Sequence, residues 1–420
     1  MDRPAPKPLV MKFGGTSVAD VERIRRVAEL IVWQAGQTPR LAVVVSAMAG
    51  YTNQFVAWTD AAGDPAQGLG SSDDEYDAVV SSGEQITAGL LAMTLRNHGL
   101  KARSWLGWQV PIVTDGAHGR GRIVEVGADN LNRSLDAGEI AVVAGFQGVG
   151  PDGRIVTLGR GGSDTSAVAL AAALGGDCDI YTDVDGVYTT DPRLEPKARR
   201  LERISYEEML EMAALGAKVL QNRSVELAMA YKVPVRVLSS FSTPGDLRGG
   251  TIVCGEEEIV EKRIISGVTF SRDEAKVTLI GLPAQPGVSA KVFSRLAEAG
   301  VNVDMIIQSR AGDAETVNMD FTVGRREAKR ACELMRAAQA DIGFAGIALD
   351  EDVAKVSVVG VGVRSHAGVA NTMFQALGDK GVNIQAISTS EVKISVLIDA
   401  AYTELAVRAL HAAYGLESAA

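Results

Sequence analysis

Cysteine and histidine are scarce in this chain, with three of one and four of the other in 420 residues. Cys178, Cys254 and Cys332 are far apart, odd in number and without zinc-ligand spacing, which excludes a disulfide framework and leaves reduced, buried thiols as the expectation. No two histidines fall at a metal-ligand spacing, so a transition-metal catalyst is not expected. Nor is there an apolar run long enough to cross a bilayer. Positive charge is in deficit, 42 Lys and Arg against 52 Asp and Glu for a net charge of −10, which argues against a broad nucleic-acid footprint. Residues 1–8 contain three prolines and no apolar targeting core, so they read as a loose lead-in rather than a signal peptide. The expectation is a cytoplasmic protein acting on small molecules, with neither membrane nor nucleic acid as a partner.

What is present is globular: 46% hydrophobic and 22% charged residues, in a chain long enough for one large domain and one or two small ones. From residue 9 to about 250, short β-branched runs alternate with longer amphipathic stretches. Strands are predicted at 9–13, 41–45, 139–144, 155–158, 179–182 and 233–238, and helices at 18–34, 85–98, 163–174 and 206–231. Such alternation predicts an α/β fold with a mostly parallel sheet covered by helices. Residues 61–76, rich in Gly, Asp and Ser, read as a mobile loop.

The C-terminal part carries an internal repeat. Lys276-Val-Thr-Leu-Ile-Gly, a helix and Gly300-Val-Asn-Val are echoed by Lys355-Val-Ser-Val-Val-Gly, a helix and Gly381-Val-Asn-Ile. An interval of about 80 residues exceeds the common solenoid periods, so two small ferredoxin-like modules of βαββαβ order are expected. The second copy runs out before its last strand, and an uncovered sheet edge is a liability. The unassigned apolar segment 264–270 is predicted to fill it, which interleaves the modules. The expected division is 7–250 for the large domain, 251–263 for a linker, 271–350 for the first module, and 264–270 with 351–420 for the second.

Two glycine loops carry the chemistry. In Lys12-Phe-Gly14-Gly15-Thr-Ser, a strand feeds a glycine turn before a helix; Gly14 and Gly15 let backbone N–H groups approach a phosphate, the helix start favours negative charge, and Lys12 adds a cation. In Arg160-Gly-Gly-Ser163-Asp164-Thr the same order recurs, with Arg160 able to grip a carboxylate through two parallel hydrogen bonds. A single glycine turn reads as a tight loop and cap; two of them, each with a cation, point to phosphoryl transfer, where positioning and charge neutralisation supply most of the catalysis. Between them, Ser81-Ser-Gly-Glu84 opens a helix. Glu84 alone reads as a first-turn carboxylate complementing the dipole, whereas a buried Glu84 would hold a substrate ammonium. Ser46 and Thr52 are placed to offer hydroxyls at the C-terminal edge of the sheet, where open α/β sheets bind ligands. Asp183-Val-Asp-Gly-Val-Tyr188 through Arg193 reads as a structured loop whose Tyr188 and Arg193 are candidates for holding a nucleotide, and Lys218 is a candidate second lysine near phosphates or base. Gly148-Val-Gly-Pro-Asp-Gly153 fits a dinucleotide fingerprint, but Pro-Asp-Gly is turn chemistry and a hairpin is predicted instead.

Together these residues resemble the aspartate kinases of the amino-acid kinase family. The likeness runs from Lys12 almost to the C-terminus, through Ser81-Ser-Gly-Glu, Arg160-Gly-Gly-Ser-Asp-Thr, Thr182-Asp-Val-Asp-Gly-Val-Tyr, Gly216-Ala-Lys and Gly381-Val-Asn-Ile-Gln with Ser388-Thr-Ser-Glu. It implies a three-layer αβα catalytic domain and two ACT modules that sense amino acids, commonly shared across a dimer. The implied reaction moves the ATP γ-phosphoryl group to the side-chain carboxylate of L-aspartate, on the route to lysine, threonine, methionine and diaminopimelate. Lys12 would neutralise the transferring group, the amides of Gly14 and Gly15 would cradle it, and Asp164 would organise the charged centre. Arg160 would hold the aspartate α-carboxylate and Glu84 its ammonium, with Ser46, Thr52 and Ser163 completing the pocket. Thr182, Asp183, Tyr188, Arg193 and Lys218 would hold the nucleotide, and Mg2+ would bridge its phosphates. Gly287, Ser289, Gln308, Asn383 and Ile384 match effector-contact positions, with threonine or lysine as effector. Implied assemblies are a homodimer through the ACT modules or a heterotetramer with a short sensor subunit. The chain departs from the family pattern at Gln221-Asn222, where His-Pro is frequent and where tolerance is expected because the pair lies beyond the nucleotide contact. It departs again at Ala284, where an Asp often holds an effector ammonium. Alternatives are a kinase for glutamate or acetylglutamate and, from another class, a catalytically silent amino-acid sensor.

Overall fold

The computed structural model describes residues 6–63, 74–214, 219–245, 249–259, 264–310, 315–363 and 366–417. The chain forms two compact units, one of Met1–Val187, Arg200–Ala214 and Lys218–Glu261, the other of Tyr188–Arg199, Leu215–Ala217 and Lys262–Ala420.

The first unit is built on an eight-stranded sheet in the order Arg203–Ser205, Thr251–Cys254, Val235–Ser239, Asp177–Thr182, Leu9–Phe13, Leu41–Val45, Ile140–Ala144, Ala102–Trp105. Neighbours run parallel throughout, except that Val235–Val237 meets Thr251–Val253 antiparallel. The central strands LVMKF, LAVVV and IAVVA are buried at every position, as a sheet covered on both faces requires. Ile24, Val27 and Ile31 of the helix Val21–Ala35 and Leu91 and Leu95 of the helix Ser82–Asn97 pack on Met11, Phe13, Val43 and Val142.

Two helix expectations are corrected. The first helix begins at Val21 and not at 18, because the Asp20 side chain accepts the Arg23 amide and caps it, leaving a turn between the glycine loop and the helix. The stretch 206–231 holds two helices, Tyr206–Ala214 and Asn222–Tyr231, with an extended Gln221 before the second. Of the expected loop 61–76, residues 64–73 lie outside the described residues, and Asp74–Val80 is helical. The rejected dinucleotide fingerprint is a hairpin: Gln147–Val149 pairs antiparallel with Ile155–Thr157 in a small sheet with Ile112–Thr114 and Ile123–Val126.

In the second unit, six strands are ordered Val303–Arg310, Thr316–Val323, Gly267–Pro283, Gly346–Val359, Lys393–Asp399, Ile384–Thr389. Two of them are long and serve both repeats. The Gly267–Ser271 half of one pairs with Lys355–Val359, while its Lys276–Ile280 half pairs with Gly346–Asp350, and the register shifts between Ser271 and Lys276. Each half feeds its own core. Val277, Leu279, Phe321 and Met335 belong to one apolar cluster, and Ile265, Val268, Val356, Met373 and Leu410 to the other. Lys355, almost fully buried, is paired with Glu274 at 2.9 Å and with Asp304 at that junction.

Candidate active site

The site lies at the C-terminal ends of the parallel strands, where the ladder runs on into loops: the Ser46 amide donates to the Phe13 carbonyl at 3.1 Å and the Gly145 amide to the Val45 carbonyl at 3.0 Å. Three close approaches set its shape. A Cβ on Gly15 would stand 2.9 Å from the Ala47 carbonyl oxygen, one on Gly83 2.6 Å from Ala47 Cβ, and one on Gly145 2.9 Å from Ser163 Cβ. Glycine at these positions therefore lets the first glycine loop, the Ser46–Ala47 turn, the start of the Glu84 helix and the second glycine loop share one small space.

Into that space project three charged groups. Lys12 Nζ stands 2.6 Å from Asp164 Oδ1, with about a tenth of either side chain exposed. Asp164 belongs to the first turn of the helix Gly162–Leu174, whose N-cap, Gly161, has φ +73°. This helix, rather than Val21–Ala35, starts directly from a glycine loop at the site. Glu84 is buried, its Oε1 accepts the Ala47 amide at 2.9 Å, and its Oε2 has no hydrogen-bond partner among the described residues. Burial pushes its carboxyl up to about 7, against the opposing pull of the Ala47 amide and the Lys12 ammonium. A buried carboxyl with one unsatisfied oxygen, in the same space as a buried lysine, is poised to take a cationic group.

Of the other expected residues, Ser163 is buried beside Asp164, Ser46 and Thr52 are half-buried, and Arg160 is exposed on the loop before the helix. The Gly14 amide donates to the Tyr181 carbonyl at 3.3 Å. A Cβ there would come within 3.4 Å of Lys12 Nζ, so glycine at 14 leaves room for the lysine. The Thr182 hydroxyl donates to Asp183 Oδ1 at 3.0 Å at the end of the Asp177–Thr182 strand. Tyr188 and Arg193 fall in the second unit, and the Arg193 guanidinium forks onto Asp191 at 2.7 to 3.2 Å. Lys218 lies outside the described residues.

Two supports of the second glycine loop stand out in the structure: Gln221, read from the sequence only as a tolerable departure, and Arg223, not singled out there. Gln221 is no bystander: a Cβ on Gly161 would overlap it, at 2.1 Å from its Cγ, so its side chain lies on the second glycine loop. The Arg223 guanidinium donates to the carbonyls of Leu158 and Gly121 at 2.7 Å each, bracing the approach to Arg160. The only signal in the sequence was their nearness to a motif, and nothing local says that this helix returns to the glycine loop.

In the second unit, Ala284, Ser289 and Gln308 line a groove of about 560 Å³ together with Gln285, Ser309 and Arg310. No carboxylate is among the described residues lining it. Gly287, with φ +90°, is the N-cap of the helix Val288–Glu298 beside this groove. Asn383 and Ile384 lie elsewhere, at the start of the opposite edge strand Ile384–Thr389.

Comparison with known proteins agrees with this architecture. Residues 7–239 match the amino acid kinase family, and residues 277–339 and 356–414 match the ACT domain. An aspartate kinase of Stutzerimonas stutzeri is 51% identical over 416 residues, covering 98% of either chain. The crystal structure of E. coli aspartokinase III in complex with aspartate and ADP (R-state) superimposes with a TM-score of 0.77 at 29% identity, covering 97% of this chain and 99% of that one. The same enzyme in complex with lysine and aspartate (T-state) gives 0.77 at 28% identity, covering 96% and 99%. The chain belongs to the amino acid kinase family and, within it, to the aspartokinases that carry ACT domains.

Proposed function

We propose that the pocket at the strand ends binds L-aspartate across Glu84 and Arg160 and presents its side-chain carboxylate to the γ-phosphoryl group of ATP beside Lys12. As an aspartate kinase the protein forms 4-phospho-L-aspartate, with ADP as the other product. The observation that carries the pocket assignment is the buried Glu84, with Oε2 unsatisfied and its carboxyl raised to about 7, next to the Lys12–Asp164 pair.

In this reading the ammonium of aspartate satisfies Glu84 Oε2, the Arg160 fork takes the α-carboxylate, and Ser46, Thr52 and Ser163 supply hydroxyls around the reacting carboxylate. Lys12 lowers the cost of charge on the transferring group, which is the main catalytic demand of phosphoryl transfer. Asp164 holds the lysine ammonium at its post. The start of the Gly162–Leu174 helix and the Gly15 amide add partial positive charge. Thr182, Asp183, Tyr188, Arg193 and Lys218 are assigned to the nucleotide. Mg2+ would enter with ATP and neutralise phosphate charge, and Asp164, already paired with Lys12, is a carboxylate at the site that could help hold it.

Regulation is assigned to the ACT modules, with Ser289 and Gln308 of the first and Asn383 and Ile384 of the second as effector contacts. Ala284 stands where the family often has an effector-binding Asp, and no carboxylate is among the described residues lining the groove; the reading adopted is threonine sensing, with lysine sensing weakened or dependent on threonine. The edge strands Val303–Arg310 and Ile384–Thr389 expose Ile306 and Ile387, which favours pairing of modules between copies, as a homodimer or with a short sensor subunit. A cytoplasmic location fits reduced thiols: the three cysteines are free and buried.

Hydroxylamine trapping tests the reaction. With MgATP, hydroxamate should form from L-aspartate but not from L-glutamate or N-acetylglutamate. No product from any of them, with ATP still bound, would make the protein a silent sensor.

A further inference from the structure

Asp77 is fully buried, in the short helix Asp74–Val80 that leads through Ser81 into the Glu84 helix. Its carboxylate is saturated by groups from elsewhere. Thr157 donates its hydroxyl to Oδ1, the Gly119 amide stands 3.1 Å from both oxygens, and His118 Nδ1 lies 2.7 Å from Oδ2. Thr157, also fully buried, precedes Arg160 by three residues, and its carbonyl accepts the Gly121 amide at 2.8 Å. On the other side, the Ser81 amide donates to the Asp77 carbonyl at 3.1 Å. One buried carboxylate thus joins the chain entering the Glu84 helix to the strand that ends at the Arg160 loop. A second buried link reinforces the first side, since Gln147 Nε2 donates to the Ser81 carbonyl at 3.0 Å. Arg154 also bridges the two segments through Asp74 and Glu75 at 2.9 and 2.6 Å, but these pairs are exposed and screened by solvent, so they do little to fix a spacing.

We infer that Asp77 is a positioning residue that sets the separation between Glu84 and Arg160, and so matches the pocket to a ligand carrying an ammonium and a carboxylate on one carbon. The inference rests on the reading of Glu84 and Arg160 as aspartate contacts. A charge-assisted hydrogen bond between buried partners is short and directional, and its loss lets the two arms relax independently. A group that grips one end of the ligand is insensitive to that relaxation, whereas simultaneous engagement of both ends is penalised.

The test uses the full-length enzyme and compares Asp77→Asn, Thr157→Val and Thr157→Ser with Glu84→Gln and Arg160→Ala. Asp77→Asn and Thr157→Val should raise the KM for L-aspartate about tenfold, the order expected for one charge-assisted bond. The KM for ATP should stay within about twofold, as should the inhibition constant of succinate, which lacks the ammonium. Thr157→Ser, which keeps the hydroxyl, should behave as wild type. An unchanged KM for aspartate in folded Asp77→Asn and Thr157→Val, or an equal loss for ATP, overturns the positioning role. If Glu84→Gln and Arg160→Ala themselves leave the aspartate KM unchanged, it is the underlying site assignment that fails.

Discussion

The Lys12 ammonium and the Asp164 carboxylate meet at 2.6 Å, although one lies on the first strand of the sheet and the other in the first turn of a helix that starts 150 residues later. Both are nearly buried, so neither charge is tolerated without the other.

Lys12→Ala should therefore cost twice. Turnover falls by roughly 10²–10³-fold, the usual effect of removing one group that stabilises transition-state charge. Stability falls by about 3–5 kcal/mol, because Asp164 is left as an uncompensated buried charge. Adding Asp164→Asn should restore much of the melting temperature and none of the turnover. Thermal melts and steady-state assays on the three variants check both parts.

The raised Glu84 carboxyl predicts two pH dependences. Its folded value of about 7 stands above an unfolded value near 4.5, so between those pH values the native state keeps a proton that the unfolded chain has released. This group's contribution to stability is complete below about pH 4.5 and declines as pH rises to about 7, by an amount on the order of 3 kcal/mol. Urea titrations of wild type and Glu84→Gln across that range should differ in slope, with wild type losing more stability as pH increases.

Ligand binding runs the other way. An ammonium beside Glu84 favours its ionised form, so the KM for aspartate should fall as pH rises through about 7 and level off above it. In Glu84→Gln that dependence should vanish and the KM for aspartate should rise, with the KM for ATP little changed. Equal pH profiles for the two proteins would return Glu84 to a structural role.

Gly161→Ala should destabilise the second glycine loop. The residue has φ +73°, which alone costs about 1 kcal/mol for alanine, and its new Cβ would overlap Gln221. The double variant Gly161→Ala/Gln221→Gly removes the overlap but not the backbone strain, so it should recover part of the lost melting temperature. Full recovery would mean that the steric contact is the whole effect.

In the sensor groove, Ala284→Asp adds a carboxylate to a lining that has none among the described residues. If an amino-acid effector places its ammonium there, the variant should bind lysine more tightly by about 1.5–3 kcal/mol, or roughly 10- to 150-fold. Isothermal titration with lysine and with threonine reads this directly, and an unchanged lysine affinity would place the ammonium elsewhere.

The sequence by itself determined the parts that depend on local periodicity and turn chemistry. Runs such as LVMKF and LAVVV must be buried on both faces, which demands a parallel, covered sheet, and Pro151-Asp152-Gly153 must turn back as a hairpin. Lys12, Glu84, Arg160 and Asp164 were visible as candidates because each stands at a glycine loop or helix start. Helix boundaries were less legible. Asp20 delays the start of one helix through a side-chain cap, and the break before Gln221 interrupts a stretch whose apolar spacing continues across it.

Only the tertiary structure decided what these residues mean to one another. Burial turns Glu84 from a first-turn carboxylate into one whose carboxyl is pushed up to about 7, and no local pattern encodes burial. Nothing local singles out Asp77, whose carboxylate gains its partners only when strand and loop close around it, and Gln221 looked distant from the site until its helix packed against Gly161. The shared long strands Gly267–Pro283 and Gly346–Val359 follow the same rule: each reads as two separate strands, and the register shift that lets one strand serve both repeats is set by which partners it meets across the ladder. Periodicity is a property of neighbours in sequence, whereas charge, protonation and register depend on neighbours in space.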